Sequence, residues 1–512
     1  MVPPSNNILI LGPILAPLIG AILSLMLSRN NRAQRYVAVV ASAVAFLCSA
    51  ALLYQNWDIM HSGADAFSVQ VYRVGNWLPP YGIVFVADLF SSLFSVMATA
   101  VVLGGMIYAV ACMDKSVKKP VFMPAFLMMS VGLNGAFLTG DLFTMFVFIE
   151  LMVIASVILT SISDDPLGLE AGIKYLLISA MGTLFLLIGI AAIYASFGTL
   201  TLADIARILE TGERPVLAQA AAVMLTAAFL LKSAVFPFHF WQPDFHTTAP
   251  TPVHSVLSSV VVKVGVYGVI RLVTLLFVEE APVIENILIV LGIIGIFFGS
   301  LGALRTYNAK RMLAYSTFGQ IGFILVGIGW GSPLALVGAL VYSFNHAFIK
   351  SSLLQLSGVV SSRTKQKVGN FVALAGAGKA LRLTAVLYLL GALALAGVPP
   401  LNGFISKVAL VKGGVESESW LALGLVVGGG LLTLLYMTRA YVLIFQQERN
   451  SDSAEMKDPL VGDSPLAPAL LIAVCVGLGL YARPLLDVAQ MAVVQMADTS
   501  QYINAVLGAL AS

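Results

Sequence analysis

Apolar stretches of about 20 residues recur from one end of this chain to the other, starting with Ile8 to Leu27. A run of that length crosses a hydrocarbon core of about 30 Å as a helix, and a segment in lipid must satisfy its backbone polar groups internally. Divided at the polar breaks, the runs lie near 8–27, 36–55, 82–110, 121–140, 142–162, 171–197, 216–235, 251–277, 283–303, 312–330, 334–360, 383–411, 419–445 and 466–487. They predict an all-α polytopic membrane protein of about 14 transmembrane helices. Only 10% of the 512 residues are charged, against about 25% in a typical soluble domain, so no room remains for a sizeable soluble module. The tail after Arg483 alternates apolar and small polar residues, a pattern suited to a membrane interface.

The first run follows "MVPPSNN", which lacks a basic n-region, and is read as a retained helix. Cys48, Cys112 and Cys475 stand alone in or beside different runs, with the spacing of neither a disulfide framework nor a metal site. The net charge of +3 comes from short basic loops, and no Lys/Arg cluster on a soluble module offers a nucleic-acid surface. Those loops set an orientation. "RNNRAQR" (29–35), "DKSVKK" (114–119), "RTYNAKR" (305–311) and the loop 362–382, with Arg363, Lys365, Lys367, Lys379 and Arg382, all follow odd-numbered runs. The alternate loops are neutral, acidic or mixed, so the positive-inside rule places both termini outside. The loop "SISDDPLGLE" (161–170) has the cytoplasmic parity without a Lys or Arg.

An ionisable side chain at membrane depth costs roughly 2.5–3.5 kcal/mol on insertion scales, which makes each one a candidate functional group with a partner to be found. Glu150, Lys232, His254, Lys263, His346, Lys350 and Lys407 all qualify. Glu150 stands midway along "DLFTMFVFIELMVIASVIL"; it is either a carboxyl kept protonated by burial or the partner of a lysine on another helix. Lys232 closes the apolar run before "SAVFPFHFWQPDFHTTAPTP" and either snorkels to the interface or meets Glu150. Pro237, Pro243, Pro250 and Pro252 forbid one straight helix through that segment. A second break falls at Pro399-Pro400 in "ALALAGVPPLNGFISK", with Lys407 about two turns later. Two proline-interrupted runs, each with a lysine and five runs apart, suggest an inverted repeat, because an odd repeat length reverses topology.

"SFNHAFIKSSLLQ" places His346 and Lys350 at i and i+4 on one helix face, where two like charges disfavour simultaneous protonation. Lys263 has Ser258 and Ser259 for polar company, and His254 lies nearer the break. The cluster His239, Asp244, His246 and His254 matches no zinc spacing and is crossed by prolines, so no metal site and no cofactor is expected; the three histidines are candidates for a proton inlet. Glu170 and Lys174 read as an ion pair at a helix start, and Asp88 and Arg439 as groups awaiting partners.

These residues carry a resemblance. "KSAVFPFHFWQPDFHTTAPTPVHSVLSSVVVKVGVYGVIR", with "DLFTMFVFIEL", "KRMLAYSTFGQIG", "NHAFIKSSLL" and "GVPPLNGFISK" in the same order, resembles the signature of the antiporter-like proton-translocating subunits. That family is shared by respiratory complex I, membrane-bound hydrogenases and the multisubunit Mrp-type cation/proton antiporters, and "GNWLPPYGIVFVADLFSSLF" (75–94) most resembles the D-type members of the Mrp branch. The resemblance implies fourteen helices with inverted units of helices four to eight and nine to thirteen, the seventh and twelfth broken. It divides the chain into 1–112, 113–278, 279–447 and 448–512. It implies a proton path through Glu150, Lys232, Lys263, His346, Lys350 and Lys407, and breaks at Pro237 and Pro399-Pro400. One departure is visible: the family often reads Asp-x-Lys-Arg before "LAYS", where this chain has Asn308-Ala309-Lys310-Arg311.

The function expected is a proton-translocating subunit of a multisubunit Na+/H+ antiporter in a bacterial inner membrane, a transporter rather than an enzyme. It would assemble with other membrane subunits, one of which carries Na+, since this chain shows no carboxylate-rich cluster. A subunit of a redox-driven pump and a passive structural subunit are the alternatives.

Overall fold

The computed structural model describes residues 6–62, 69–212, 215–364, 369–449, 453–455 and 461–508; Lys365 and Lys367 lie outside these. Every apolar run contains a helix. Among the described residues, nine helices are long and apolar enough to cross a membrane, or up to eleven if two sharply bent pairs count as single spans. Phe122–Leu138 and Val216–Lys232 are shorter apolar helices, and Pro333–Ser362 is a long continuous helix that carries His346 and Lys350 near its middle. Spans are numbered below in chain order.

The third run is not helical throughout. Its first residues, Val84–Ala87, form a strand antiparallel to Gln70–Arg73, and the helix begins at Leu89. Asp88 sets that start: its carboxylate accepts the Ser91 N–H at 2.7 Å while the Ser91 hydroxyl accepts the Asp88 N–H, a reciprocal cap. Hydropathy alone does not separate a buried Val/Phe strand from a helix continuing it.

Two five-helix units repeat one hydrogen-bonded crossing. Between the fourth span (Phe122–Leu138) and the fifth (Leu142–Ser161), Leu142 N–H donates to Leu200 O and Leu202 N–H to Gly140 O, both at 2.9 Å. Between the ninth (Ala281–Arg305) and the tenth (Ala309–Gly329), Ala309 N–H donates to Gly369 O and Phe371 N–H to Tyr307 O, both at 2.8 Å. The residue opening each later helix is a side-chain cap, Asp141 in one unit and Asn308 in the other. The eighth span (Thr251–Leu276) and the thirteenth (Trp420–Gln446) close on corresponding wide π-type turns, Leu272–Leu276 and Val442–Gln446. Leu142/Ala309, Leu202/Phe371 and Leu272/Val442 are 167, 169 and 170 positions apart.

Contacts between loops show which of them share a face. Gln34 reaches Pro120 O at 2.7 Å, and Lys119 pairs with Asp164, which puts the loop 161–170 on the same face as the basic loops despite its lack of Lys or Arg. On the opposite face the Gln70–Arg73 strand meets both ends of the described chain. Asn7 N–H donates to Val71 O at 3.0 Å, and Arg73 Nη2 donates to Ala505 O and Val506 O at 3.2 and 3.1 Å. The tail packs one face against the bundle. Arg483–Ala497 bends 77° from Leu466–Leu480 and buries Val488, Ala489, Ala492 and Gln495, with Gln495 accepting the Leu89 N–H. The bend sits beside the Pro399-Pro400 break, where Gly479 lies against Pro400 O.

Candidate functional site

The seventh helix ends at Lys232. Beyond it Ala234 takes a left-handed φ of 54°, Val235 N–H returns to Leu230 O, and the chain runs through Pro237 before helix resumes at Trp241–Thr248. Lys232 therefore sits at a helix C-terminus inside the bundle, where unsatisfied carbonyls favour a cation. Its ammonium lies 3.1 Å from Glu150 Oε1, 2.7 Å from Ser179 Oγ and 3.3 Å from both Ser179 O and Thr183 Oγ1. Thr183 donates its hydroxyl to the same Glu150 oxygen at 2.5 Å. The Lys232 side chain is 3% exposed and that of Glu150 25%. The fifth, sixth and seventh spans thus converge on one ion pair, and of the two fates open to each residue the structure has them meet.

The eighth span packs on this broken end, with Gly265 against the Ser233 hydroxyl. It carries Lys263 to the boundary between the two units. There the ammonium donates to Ser259 O and lies 3.1 Å from His346 Nδ1 of the eleventh span. Ser258, expected beside Lys263, bonds Thr317 of the tenth span instead. His346 and Lys350 share a helix face yet turn to different partners, because Lys350 Nζ donates to Ser316 Oγ at 2.8 Å.

From Ser316 a hydrogen-bonded chain continues that no sequence pattern announces. Ser316 Oγ is 2.8 Å from Tyr436 OH, Gln320 Nε2 reaches Tyr436 OH and Thr433 Oγ1 at 3.3 and 3.2 Å, and Tyr342 OH donates to Gln320 Oε1 at 2.5 Å. Tyr342 stacks on Phe323, whose ring centroid is 5.6 Å from Lys407 Nζ, a cation–π contact. A small internal cavity bounded by Gln320, Tyr342, His346 and Ser406 lies along this stretch.

Lys407 belongs to Asn402–Glu416, the second half of the broken twelfth span, and reaches back to the first half, Arg382–Ala396, where it donates to Ala396 O at 2.6 Å. Gly397 makes this possible. It caps the first half at φ +83°, and a Cβ there would come 2.5 Å from Lys407 Cδ. Asn345 ties the break to the eleventh span, donating to Asn402 O and Ser406 Oγ at 3.2 and 2.9 Å.

The remaining candidates divide. His246 and His254 are buried with ring centroids 5.4 Å apart, and neither nitrogen of His254 has a partner among the described residues. His239 joins neither; it stacks on Phe318 and packs edge-on against Phe298, both 4.6 Å away. Asp88 and Arg271 form a buried pair at 2.7 Å, with Arg271 Nε donating to Tyr267 OH, while Arg439 donates to Thr306 O beside the Tyr307 ring; both are structural ties. Glu170 and Lys174 pair at 2.5 Å. At the corner where Asn308 replaces the family's Asp, Arg311 finds a carboxylate in Asp244 at 3.2 Å, and Lys174 lies 3.7 Å from that same side chain. Among the described residues no group of three or more His, Cys, Asp or Glu is placed to hold a metal ion.

Fold and site together define a polytopic α-helical membrane protein whose interior carries a row of lysines, histidines and one carboxylate across both halves. The chain belongs to the NADH:quinone oxidoreductase/Mrp antiporter transmembrane family, whose model matches residues 139–433. It is 31% identical to the D-type Na+/H+ antiporter subunit of Alkalihalophilus pseudofirmus over 98% of this chain and 99% of that one. It is 34% identical to the N-type NADH-quinone oxidoreductase subunit of Desulforudis audaxviator over 72% of this chain and 74% of that one. Its fold is similar to a chain of the Mrp complex from Dietzia sp. DQ12-45-1b, with a TM-score of 0.89, 26% identity and coverage of 98% and 99%.

Proposed function

We propose that this chain is the proton-translocating membrane subunit of a multisubunit monovalent cation (Na+)/H+ antiporter. The observation that carries the reading is the series of buried ionisable groups at successive stations in the bundle. The Glu150–Lys232 pair, the Lys263–His346 contact, Lys350 with its Ser316–Tyr436–Gln320 chain, and Lys407 at the second break follow one another through the bundle. In such a row each group's affinity for a proton depends on the charge of its neighbours, so a proton loaded at one site biases release at the next. The membrane potential, roughly 2.3 kcal/mol per charge per 100 mV, is sufficient to drive it.

The repeating units are residues 113–278 and 279–447, flanked by 1–112 and 448–512. The subunit lies in a bacterial inner membrane with both termini outside, on the charge of the opposite loops. Other membrane subunits complete the complex, and one of them carries Na+. Glu150→Ala and Lys232→Ala should each abolish ΔpH-driven cation exchange in everted vesicles while the complex still assembles; normal exchange in both would sink the reading.

A second reading, a proton-pumping subunit of a redox-driven complex, is favoured by the likeness to an NADH-quinone oxidoreductase subunit. Purification of the intact complex separates the two: small membrane subunits support the antiporter, and iron–sulfur or quinone-binding subunits the pump.

A further inference from the structure

Asp463 has no part in the row described above, yet it is a carboxylate only 4% exposed, in the segment that precedes the fourteenth span. Tyr108 OH donates to its Oδ2 at 2.6 Å, Met113 N–H to its Oδ1 at 2.8 Å, and Cys112 Sγ lies 3.5 Å from Oδ2. Its own N–H donates to Ser362 Oγ at 3.0 Å, and Arg363 Nη1 donates to its carbonyl at 2.8 Å. The ends of the third and eleventh spans and the segment after the thirteenth therefore meet at this one residue, on the face of the basic loops.

The Tyr108 hydroxyl leads inward. It points toward Thr251, the first residue of the eighth span. The two hydroxyls meet over Gly358, where a Cβ would come 2.6 Å from Tyr108 OH and 2.7 Å from Thr251 Oγ1. One turn further along the same helix face stands His254, fully buried and with both ring nitrogens unpartnered among the described residues. A buried polar group left without partners costs about 1–3 kcal/mol and asks for a reason.

We propose that Asp463, Tyr108 and Thr251 form the inlet by which protons reach His254 from the basic-loop face, with Asp463 as the loading group. This rests on the proton-translocation reading above. In the step, a proton held on Asp463 passes to the Tyr108 oxygen as Tyr108 gives its own to Thr251, and Thr251 gives its own to His254 once its hydroxyl turns toward the ring, which it does not hydrogen-bond in this structure. Each hydroxyl ends neutral, Asp463 returns to carboxylate and His254 becomes imidazolium. The cations nearest His254 are Lys310 and Lys350, and His246 is the next ring along, 5.4 Å away, as the onward acceptor. The other charged or titratable groups around the inlet are Asp114, Arg363 and Cys112. Cys112 does not compete for the proton, because burial first, and then the neighbouring Asp463 charge, push its thiol up to about 12.

Two near-isosteric variants of the whole complex, assayed in everted vesicles, separate a relay from a clamp. Asp463→Asn keeps the side chain's shape and can still accept one of the two hydrogen bonds, from Met113 N–H or the Tyr108 hydroxyl, but cannot load a proton, and Tyr108→Phe keeps the ring and loses only the hydroxyl. Both should slow ΔpH-driven exchange by at least roughly tenfold, with wild-type complex yield and unfolding temperature, and Asp463→Glu should restore most of the rate. Glu150→Ala runs alongside. Wild-type rates in both inlet variants with exchange lost in Glu150→Ala overturn the inlet alone, and wild-type rates in all three overturn the inlet and the proton path together. Slowing that tracks reduced yield or unfolding temperature, unrescued by Asp463→Glu, makes Asp463 a clamp and overturns the proposal.

Discussion

The two halves of this molecule break a membrane helix in the same way and then hold a lysine differently. In the first half Lys232 ends the broken helix and faces Glu150, Ser179 and Thr183, so a carboxylate answers its charge. In the second half Lys407 stands on the far side of the break, reaches back to Ala396 O and lies over the Phe323 ring, with a helix end and an aromatic face in place of an anion. The break supplies a cation-favouring helix end in both. What differs is the counter-charge: the first site is a neutral pair, and the second carries an ammonium that any approaching positive charge destabilises directly. Proline placement thus sets where a lysine can be buried, while the neighbouring span sets how firmly it keeps its proton.

Stability of the purified complex tests the contrast most severely. Lys232→Met leaves the Glu150 carboxylate without its cation and should cost about 3–5 kcal/mol, read as a lower unfolding temperature. Lys407→Met orphans no charge and should cost under about 1 kcal/mol; equal losses would erase the distinction between the halves. The double change Glu150→Gln/Lys232→Met sharpens it, since stability should recover by roughly 2 kcal/mol or more while exchange stays absent. Gly397→Ala comes next, with an expected loss of about 1–2 kcal/mol from its left-handed φ and slower exchange as Lys407 is displaced. Lys119→Ala sits at the bottom of the range. Its pair with Asp164 is exposed and should contribute at most about 0.5 kcal/mol with exchange unchanged.

Charges at membrane depth were legible in the sequence because lipid makes each one expensive, and prolines because they cannot continue a helix. Glu150, Lys232 and both breaks stand out for those reasons. The chain from Ser316 through Tyr436 to Gln320 did not, since hydroxyls and amides inside helices are common, and only packing decides which of them face one another. Ser258 illustrates the limit: its spacing suggested Lys263, and the tenth span claims it through Thr317. His239 looked like its neighbours His246 and His254, and packing sets it apart from them, stacked on Phe318. The strand Val84–Ala87 was hidden inside an apolar run, and Asp463 inside a polar loop whose burial no local pattern announces.

The bond from Arg73 to the Ala505 and Val506 carbonyls joins residues 432 and 433 positions apart. During synthesis the guanidinium of this strand must wait, through the insertion of the intervening spans, for the carbonyls that receive it. Closure of this face therefore waits for residues 505 and 506, and a nascent chain stopped short of residue 505 would expose the Gln70–Arg73 strand to chaperones and proteases. Quality control that reads that strand would be reading whether synthesis has reached the Ala505–Val506 segment.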